Sequence, residues 1–165
     1  MHRPTTDEAT TIPPPDTNET QPFAATIAGT LLAAREATML PLRPKLREMG
    51  LTEAQWRALR AVVEHEGLTG RSIARYALLH APSVSRILKE LVDRGLVQQR
   101  VDETNGRRHV IIPTSLAKDI VDNAAETNRA ILELYRKEFG EERLTVLLFE
   151  LRAFTAVALK VAERF

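Results

Sequence analysis

The sequence contains no cysteine and no long apolar run, and each absence excludes a class of protein. Without cysteine, the chain has no disulfide framework, no thiolate metal ligand and no thiol nucleophile or redox switch. A membrane-spanning helix needs ~18 consecutive apolar residues, and no stretch approaches that length. The N-terminus also lacks the basic start and apolar centre of a secretion signal. These absences predict a soluble cytoplasmic protein with no membrane partner.

Signatures of catalysis and of metal binding are also missing. The four histidines show no metal-ligand spacing among them: His2, His65, His80 and His109. With seven glycines in all, the chain has neither a glycine-rich phosphate loop nor a Gly-x-Ser-x-Gly elbow. We therefore predict that the protein is not an enzyme and uses neither a metal nor a cofactor.

The chain does contain enough apolar residues, 44% of the total, to bury a core. Its 165 residues predict one domain, or one small domain with a long helical extension. The net charge is only +1, but the segment from 71 to 108 holds eight basic residues against four acidic ones. A local basic bias of this kind, more than the total charge, is typical of a nucleic-acid-binding surface.

The stretch from 81 to 113 has the pattern of an amphipathic helix that runs into a β-hairpin. Apolar residues recur at helical spacing on one face: Val84, Ile87, Leu88 and Leu91. The opposite face is polar and basic: Ser83, Ser85, Arg86, Lys89 and Arg94. Pro82 suits the first helical turn, and Gly95 ends the helix. The sequence therefore predicts a helix with one side in a core and the other in solvent.

Two neighbouring features complete a winged helix-turn-helix. Before the amphipathic helix, Thr69 can cap a shorter helix, and residues 78–81 form a tight connection between the two. After it come two β-prone runs, 96–101 and 109–113. They are separated by a segment with Asn105-Gly106, a strong hairpin turn signal. The hairpin is the predicted wing.

A winged helix-turn-helix presents two groups of residues to double-stranded DNA. At the start of the second helix, polar and basic side chains can reach base edges in the major groove: Ser83, Ser85, Arg86 and Lys89. In the wing, Arg107 and Arg108 are predicted to sit at the tip, where guanidinium groups reach phosphates or the minor groove. The alternative for both groups is an ordinary scaffold with a solvated basic surface.

The rest of the chain divides around this motif. We predict four parts: a disordered tail over 1–22, an N-terminal dimerisation helix region over 23–50, the winged helix-turn-helix DNA-binding domain over 51–113 and C-terminal dimerisation helices over 114–165. Thr52 with Gln55 forms a capping box at the start of the DNA-binding domain. Thr114 can cap the first C-terminal helix, and Gly140 separates it from the second.

The N- and C-terminal helices are long for so small a body. A winged helix of about 65 residues offers too little surface to bury their apolar stripes, so these helices need a partner surface. A homodimer supplies it and relates two recognition helices by a twofold axis, which suits a pseudo-palindromic operator. A monomeric helical subdomain is the alternative.

This order of elements resembles the MarR (multiple antibiotic resistance regulator) family from roughly Ala24 to Phe165. The most specific matches are Ser85-Arg86 in the recognition helix and Arg94-Gly95-Leu96-Val97 at the entrance to the wing. The resemblance implies a mainly α fold with a small β-hairpin wing and long N- and C-terminal dimerisation helices. In the wing, Asn105-Gly106-Arg107 stands where the family usually has Asp-x-Arg, which leaves Asp102 as a substitute partner for the arginine.

Within the family, residues 31–60 resemble repressors of the homoprotocatechuate degradation operon type, which respond to aromatic acids. Effectors of the family lodge between the dimerisation helices and the DNA-binding lobe. The resemblance therefore implies a ligand site at Arg35, Met39, Trp56 and Arg57. Trp56 would supply an apolar wall, and Arg57 or Arg35 a guanidinium for a carboxylate. Core packing of the tryptophan and an ion pair between Arg35 and Glu36 are the alternatives.

The sequence thus predicts a ligand-responsive regulator, a repressor that binds its operator as a homodimer. A small aromatic carboxylic acid such as hydroxyphenylacetate, homoprotocatechuate or indole-3-acetate is the predicted effector. Two alternatives stay open: a winged helix that binds proteins, and an architectural DNA-binding dimer without an effector. The basic helix start together with an arginine-tipped wing disfavours the first. The groove-facing Ser83 and Ser85 disfavour the second.

Overall fold

The protein is described by a computed structural model over residues 22–65, 67–102 and 105–165, without the side chains of residues 105 and 107. Residues 1–21 of the predicted tail lie outside this described part. By its internal contacts the chain divides into two compact units, Met1–Met39 and Leu40–Phe165. No helix in the described part is both long and apolar enough to cross a membrane.

The first unit contains a 3-10 helix, Phe23–Ala25, and helix α1, Ile27–Met39. The two meet at Gly29, where an added Cβ would lie 1.9 Å from the carbonyl oxygen of Phe23. Only glycine permits this close approach. The backbone N–H of Gly29 also donates to Oγ1 of Thr26 over 3.0 Å, which satisfies one donor at the start of α1.

The second unit follows the predicted winged helix-turn-helix order and is mainly helical, with one antiparallel hairpin. Its elements are α2 Arg43–Glu48, α3 Glu53–Glu64, α4 Gly70–Tyr76, α5 Ala81–Asp93, β1 Val97–Asp102, β2 Asn105–Pro113, α6 Ser115–Phe139 and α7 Glu141–Ala162. Helix α2 was not predicted. Pro44 was expected to break a helix, yet it stands in the first turn of this one, where a missing N–H has no consequence.

Threonine caps predicted from the sequence begin three helices of this unit. Thr52 and Gln55 form the complete capping box of α3, with bonds of 3.2 Å and 2.9 Å between each side chain and the other residue's N–H. The Thr69 hydroxyl accepts from the N–H of Ser72 at the start of α4. The Thr114 hydroxyl does the same for α6, with the N–H of Ala117. These bonds satisfy backbone N–H groups in the first turn of each helix, which have no acceptor within the helix.

The core of the second unit is built around α3. This helix contacts α2, α4, α5, α6 and β2. The largest fully buried side chains come from these elements and from the strand that follows α5: Leu46, Leu59, Ile73, Leu91, Leu96, Val62 and Val97. The apolar stripe predicted for α5 is therefore its buried side, which leaves its polar side to solvent.

The wing differs from its prediction at the turn. Strands β1 and β2 pair as far as Asp102 and Asn105, with a register shift between Val101 and Asp102. Asn105 and Gly106, predicted to form the turn, therefore belong to β2. The pairing of Asp102 with Asn105 overrides the local turn preference here. The register shift absorbs the extra residues of β2.

Candidate functional site

The predicted DNA-contacting side chains of α5 lie together on its solvent side. All four are exposed: Ser83, Ser85, Arg86 and Lys89. Pro82 occupies the first turn of α5 as predicted, and Val84, Ile87 and Leu91 are buried on the opposite side. The core therefore fixes which face of the helix is outward, and that face carries hydroxyl and cationic groups that can donate to base edges and phosphates.

Arg86 is held by a carboxylate one helical turn away. Its Nε donates to Oε1 of Glu90 over 2.9 Å, and the other carboxylate oxygen, Oε2, accepts from Nε2 of Gln55 over 2.7 Å. Gln55 is 8% exposed and also closes the capping box of α3. The hydrogen bonds from Arg86 and from Gln55 hold the pKa of Glu90 below its ordinary value.

Arg94, predicted to lie on the polar face of α5, instead binds backbone carbonyls near the end of another helix. Its Nη1 donates to the carbonyl of Gly50 over 2.8 Å and its Nη2 to the carbonyl of Met49 over 3.0 Å. These carbonyls lie just beyond the C-terminus of α2, where backbone acceptors lack helical partners. Arg94 therefore joins the end of α5 to the junction before α3.

The wing arginines lie in β2 instead of at the hairpin tip. The side chain of Arg108 is half exposed, with its Nε 3.8 Å from Oδ2 of Asp102. Asp102, expected to orient Arg107, thus approaches the next arginine, while the side chain of Arg107 lies outside the described part. The prediction of the tip position was wrong because β2 extends further than its hydrophobic pattern indicated.

A cleft lies between the predicted DNA-contacting face of α5 and the strands of the wing. It has a volume of about 360 Å³ and is lined on the helix side by Ser85 and Lys89. On the wing side it is lined by Gln99 and His109, which the sequence had not singled out. Side chains of β1 and β2 therefore share one surface with the recognition helix. Because side chains alternate between the two faces of a strand, the strand positions of Gln99 and His109 could have indicated which face they occupy.

A second cleft, of about 250 Å³, lies between α3 and the end of α4. Its wall includes Trp56 and Arg57, two of the predicted ligand residues, together with Arg60, Tyr76 and Leu78. The Arg60 guanidinium lies 5.8 Å from the Trp56 ring centroid, a cation–π arrangement. Tyr76 stacks on His65 with ring centroids 4.3 Å apart. The cleft combines aromatic walls with two guanidinium groups.

Arg57 has unsatisfied hydrogen-bonding capacity at this cleft. Its Nη1 donates to the carbonyl of Leu78 over 2.9 Å. Its Nε is buried and has no hydrogen-bond partner among the described residues. A buried donor without an acceptor is costly, so a ligand oxygen at this position would be stabilising. Trp56 is only 3% exposed, so it serves the core as well as the cleft wall.

The other two predicted ligand residues lie in the first unit. Arg35 is exposed on α1, and its Nη1 bonds Oε1 of Glu36 over 2.5 Å, the ion pair that the sequence offered as the alternative. Met39 is half-buried and ends α1. Their part in a ligand site stays a prediction.

Besides Gln99 and His109, the sequence reasoning missed the roles of four residues at these two sites. Arg60 stands four residues after Trp56, and Glu90 four residues after Arg86, which puts each pair on one helix face. That spacing was readable in advance. Gln55 was read only as a helix cap, and Leu78 only as a connection. Their roles depend on contacts with distant residues, 35 positions away for Gln55 and 21 for Leu78.

Comparison with known proteins adds to this geometry. The model of the MarR family matches residues 49–108. The homoprotocatechuate degradative operon repressor of Escherichia coli is 33% identical over 130 residues, which cover 77% of this chain and 86% of the relative. The HTH-type transcriptional regulator FarR of Neisseria gonorrhoeae is 30% identical over 128 residues, 78% of this chain and 88% of that protein. The chain belongs to the MarR family.

A solved structure shares the fold over most of its length. NadR, in its complex with 4-hydroxyphenylacetate, superposes with a TM-score of 0.71 and 30% identity, covering 84% of this chain and 97% of NadR. Both the family and the likeness to the homoprotocatechuate repressor were predicted from the sequence and are confirmed. This protein is a ligand-responsive transcriptional regulator and, as predicted, not an enzyme.

Proposed function

We propose that this MarR-family protein is a homodimeric repressor that leaves its operator when a small aromatic carboxylic acid binds at the cleft beside α3. The observation that carries the choice of ligand is Arg57, whose buried Nε has no acceptor among the described residues, in a cleft that Trp56 also lines. An aryl acetate matches these features, because its ring fits an aromatic wall and its carboxylate accepts from guanidinium groups.

The relatives support the same ligand class. NadR has been crystallised with 4-hydroxyphenylacetate, and the E. coli relative is named for homoprotocatechuate degradation. Hydroxyphenylacetate, homoprotocatechuate and indole-3-acetate share a ring with an acetate side chain. The cleft volume of about 250 Å³ lies below the roughly 300–1,000 Å³ typical of sites for drug-sized ligands, and an aryl acetate is smaller than such ligands. Arg60, over the Trp56 ring, adds a second guanidinium to the cleft wall, where it is also ion-paired with Glu64.

The DNA side of the proposal rests on α5 and the wing. Ser83, Ser85, Arg86 and Lys89 read one half-site in the major groove, and the wing strand with Arg107 and Arg108 contacts adjacent phosphates or the minor groove. Loss of Arg86 is expected to weaken specific binding by about 1–3 kcal/mol. Loss of Arg107 is expected to lower the salt dependence of binding with little change in base preference.

The dimer rests on surface that a monomer leaves to solvent. None of the residues of α7 is buried, although the helix is rich in leucine, valine and phenylalanine. We assign the regions 23–50 and 114–165 to dimerisation and 51–113 to DNA binding. A twofold dimer then carries two copies of α5 to a pseudo-palindromic operator.

Release follows from a bond that joins the cleft to the helix-turn-helix. Arg57 donates to the carbonyl of Leu78, which lies in the turn between α4 and α5. A carboxylate that accepts from Nε draws the guanidinium towards itself and lengthens the bond from Nη1 to this carbonyl, so the turn loses a stabilising contact and α5 shifts. By linkage, the ligand weakens DNA binding by its differential affinity for the two forms, and DNA weakens ligand binding equally.

The experiment is an anisotropy titration of a labelled DNA fragment from upstream of the protein's own gene. Full-length protein is titrated at several salt concentrations, with and without each of the three aryl acetates. The alcohol analogues, which lack the carboxylate, serve as matched ligand controls. We expect selective, salt-sensitive binding that one acid reverses and no alcohol does. Arg57→Leu also removes the bond to the Leu78 carbonyl, so it should weaken selective binding even without acid and lose the response to the acid.

The outcomes separate the parts of the proposal. Selective binding that no acid reverses would contradict the effector assignment and leave a DNA-binding dimer. Equal reversal by acid and alcohol would contradict the role of Arg57 in holding the carboxylate. Absence of selective binding to any duplex would contradict the operator assignment and favour a winged helix that binds proteins.

A further inference from the structure

The contact between Arg86 and Glu90 uses Nε and leaves the two terminal nitrogens of the guanidinium available as hydrogen-bond donors. Arg86 uses Nε for the carboxylate, and its side chain is 85% exposed. In the part of the chain that the structure describes, neither of its terminal nitrogens, Nη1 and Nη2, has a hydrogen-bond partner. The two terminal nitrogens lie at the end of the side chain, so an Arg86 held at Nε points an intact pair of donors away from the helix.

That pair of donors matches one base. In the major groove guanine presents two adjacent acceptors, O6 and N7, which a guanidinium can contact with two hydrogen bonds. Adenine presents an acceptor next to a donor, and the pyrimidines present one group each. An arginine with a fixed end-on orientation therefore distinguishes guanine from the other bases better than one that samples many rotamers.

Glu90 is itself held from a different helix. The Nε2 of Gln55 on α3 donates to its Oε2, and the Oε1 of Gln55 accepts the N–H of Thr52. The amide of Gln55 cannot turn over, since the reversed amide would place its NH2 against the N–H of Thr52 and its oxygen against the Glu90 carboxylate. Gln55 is buried, so the capping box of α3 fixes the direction of the Glu90 carboxylate.

We propose that Glu90, anchored by Gln55, is a positioning residue that presents Arg86 end-on to a guanine in each half-site and thereby sets base preference. The inference rests on the proposed operator binding and adds which base is read and which residues select it. An acidic residue next to the DNA phosphates would otherwise weaken binding, and its pairing with Arg86 offsets that repulsion.

The test compares base preference with overall DNA affinity. Full-length wild type and variants each select duplexes from a randomised library, and anisotropy then measures affinity for the selected duplex, its single-base replacements and a nonspecific duplex. We expect wild type to prefer one guanine per half-site by about 5- to 150-fold. In Glu90→Ala this preference should fall at least about fivefold, while nonspecific affinity stays equal or rises.

Asp93→Ala is the matched control, because it removes the same charge from an exposed position near the end of α5. It should raise nonspecific affinity as Glu90→Ala does and leave the guanine preference intact. Glu90→Gln keeps the size of the side chain, so it serves if Glu90→Ala is poorly folded. Its amide cannot accept from both Arg86 and Gln55, and it should also lose preference. Thermal melts establish that each variant is folded.

Three results would overturn the inference. The first is a guanine preference in folded Glu90→Ala or Glu90→Gln equal to that of wild type. The second is an Arg86→Ala variant that keeps the preference at every guanine of the selected duplex. The third is an equal loss of preference in Asp93→Ala, which would assign the effect to charge alone. Failure of wild type to select any duplex would instead contradict the proposed function itself.

Discussion

Leu78 is the one residue other than glycine with a positive φ, 51°, in the part of the chain that the structure describes. It lies in the turn of the helix-turn-helix, where glycine is common because it adopts this conformation without strain. Leu78 is 81% exposed, so packing of its side chain does little to offset the strain in its backbone. The bond from Arg57 to its carbonyl adds a side-chain contact to the backbone bonds that Leu78 and Leu79 make to the end of α4.

Replacing Leu78 by glycine is expected to stabilise the protein. The left-handed conformation costs a leucine about 1–2 kcal/mol, and glycine loses about 0.5–1 kcal/mol more entropy on folding. The net gain is about 0.5–1 kcal/mol in the free energy of unfolding, measured by urea denaturation. Leu40→Gly, at an exposed leucine without positive φ, should destabilise by about 0.5–1 kcal/mol. If Leu78→Gly were as unstable as Leu40→Gly, the claim that the positive φ strains the backbone at Leu78 would be wrong.

The recognition helix α5 is fixed by contacts at its sides and its end. Leu91 is fully buried in the core, Glu90 bonds Gln55 of α3, and Arg94 bonds the carbonyls beyond α2. The first of these was predictable, since apolar spacing determines which side of a helix enters the core. The other two were not, because they join polar residues more than thirty positions apart.

Arg94→Ala is expected to loosen α5 from α2. The variant loses two charge-assisted hydrogen bonds to backbone carbonyls, and Arg94 is exposed, so the effect should be about 1 kcal/mol in the free energy of unfolding. Arg94→Lys should recover only part of it, because an ammonium lacks the fork that reaches both carbonyls. Arg71→Ala, an exposed arginine on α4, is the control. Equal denaturation midpoints for Arg94→Ala and Arg71→Ala would show that the bonds from Arg94 to the Gly50 and Met49 carbonyls do not stabilise the protein.

At the scale of the whole molecule, the C-terminal helices carry more apolar surface than one subunit covers. Exposed large side chains on α7 include Val146, Leu147, Leu148, Phe149, Phe154, Val157, Leu159 and Val161. Contiguous apolar patches of this kind mark interaction sites. Since an isologous dimer uses the same patch on both subunits, one substitution acts twice at such an interface.

Phe154→Glu combined with Val161→Glu is expected to break the proposed dimer. Both residues stand on one side of α7, seven positions apart, so the dimer would bury four added carboxylates. Sedimentation velocity should show the shift from dimer to monomer, and affinity for the selected operator duplex should fall with it. Arg152→Glu, about 160° around the helix from Phe154 at 100° per residue, is the control and should stay dimeric. A dimeric double variant would place the interface elsewhere.

Much of the fold was predictable because it depends on local pattern. The capping threonines at 52, 69 and 114, the glycine at 140 and the apolar stripe of α5 define helix starts, ends and buried faces, and the structure confirms them. Local pattern failed at α2 and at the wing turn. Pro44 indicates the end of a helix unless the helix is known to begin just before it. Asn105-Gly106 indicates a turn, and only the strand pairing shows that Asn105 belongs to β2.

The sequence by itself determined the element order apart from α2, the outward face of α5 and the family of this protein, because these follow from spacing, capping and matched residues. Only the tertiary structure decided which polar groups meet. The pairing of Gln55 with Glu90, of Arg57 with the Leu78 carbonyl and of Arg94 with the end of α2 depends on how helices cross. Hydrogen bonds need atoms within about 3 Å, and a one-dimensional pattern carries no such distance between remote segments.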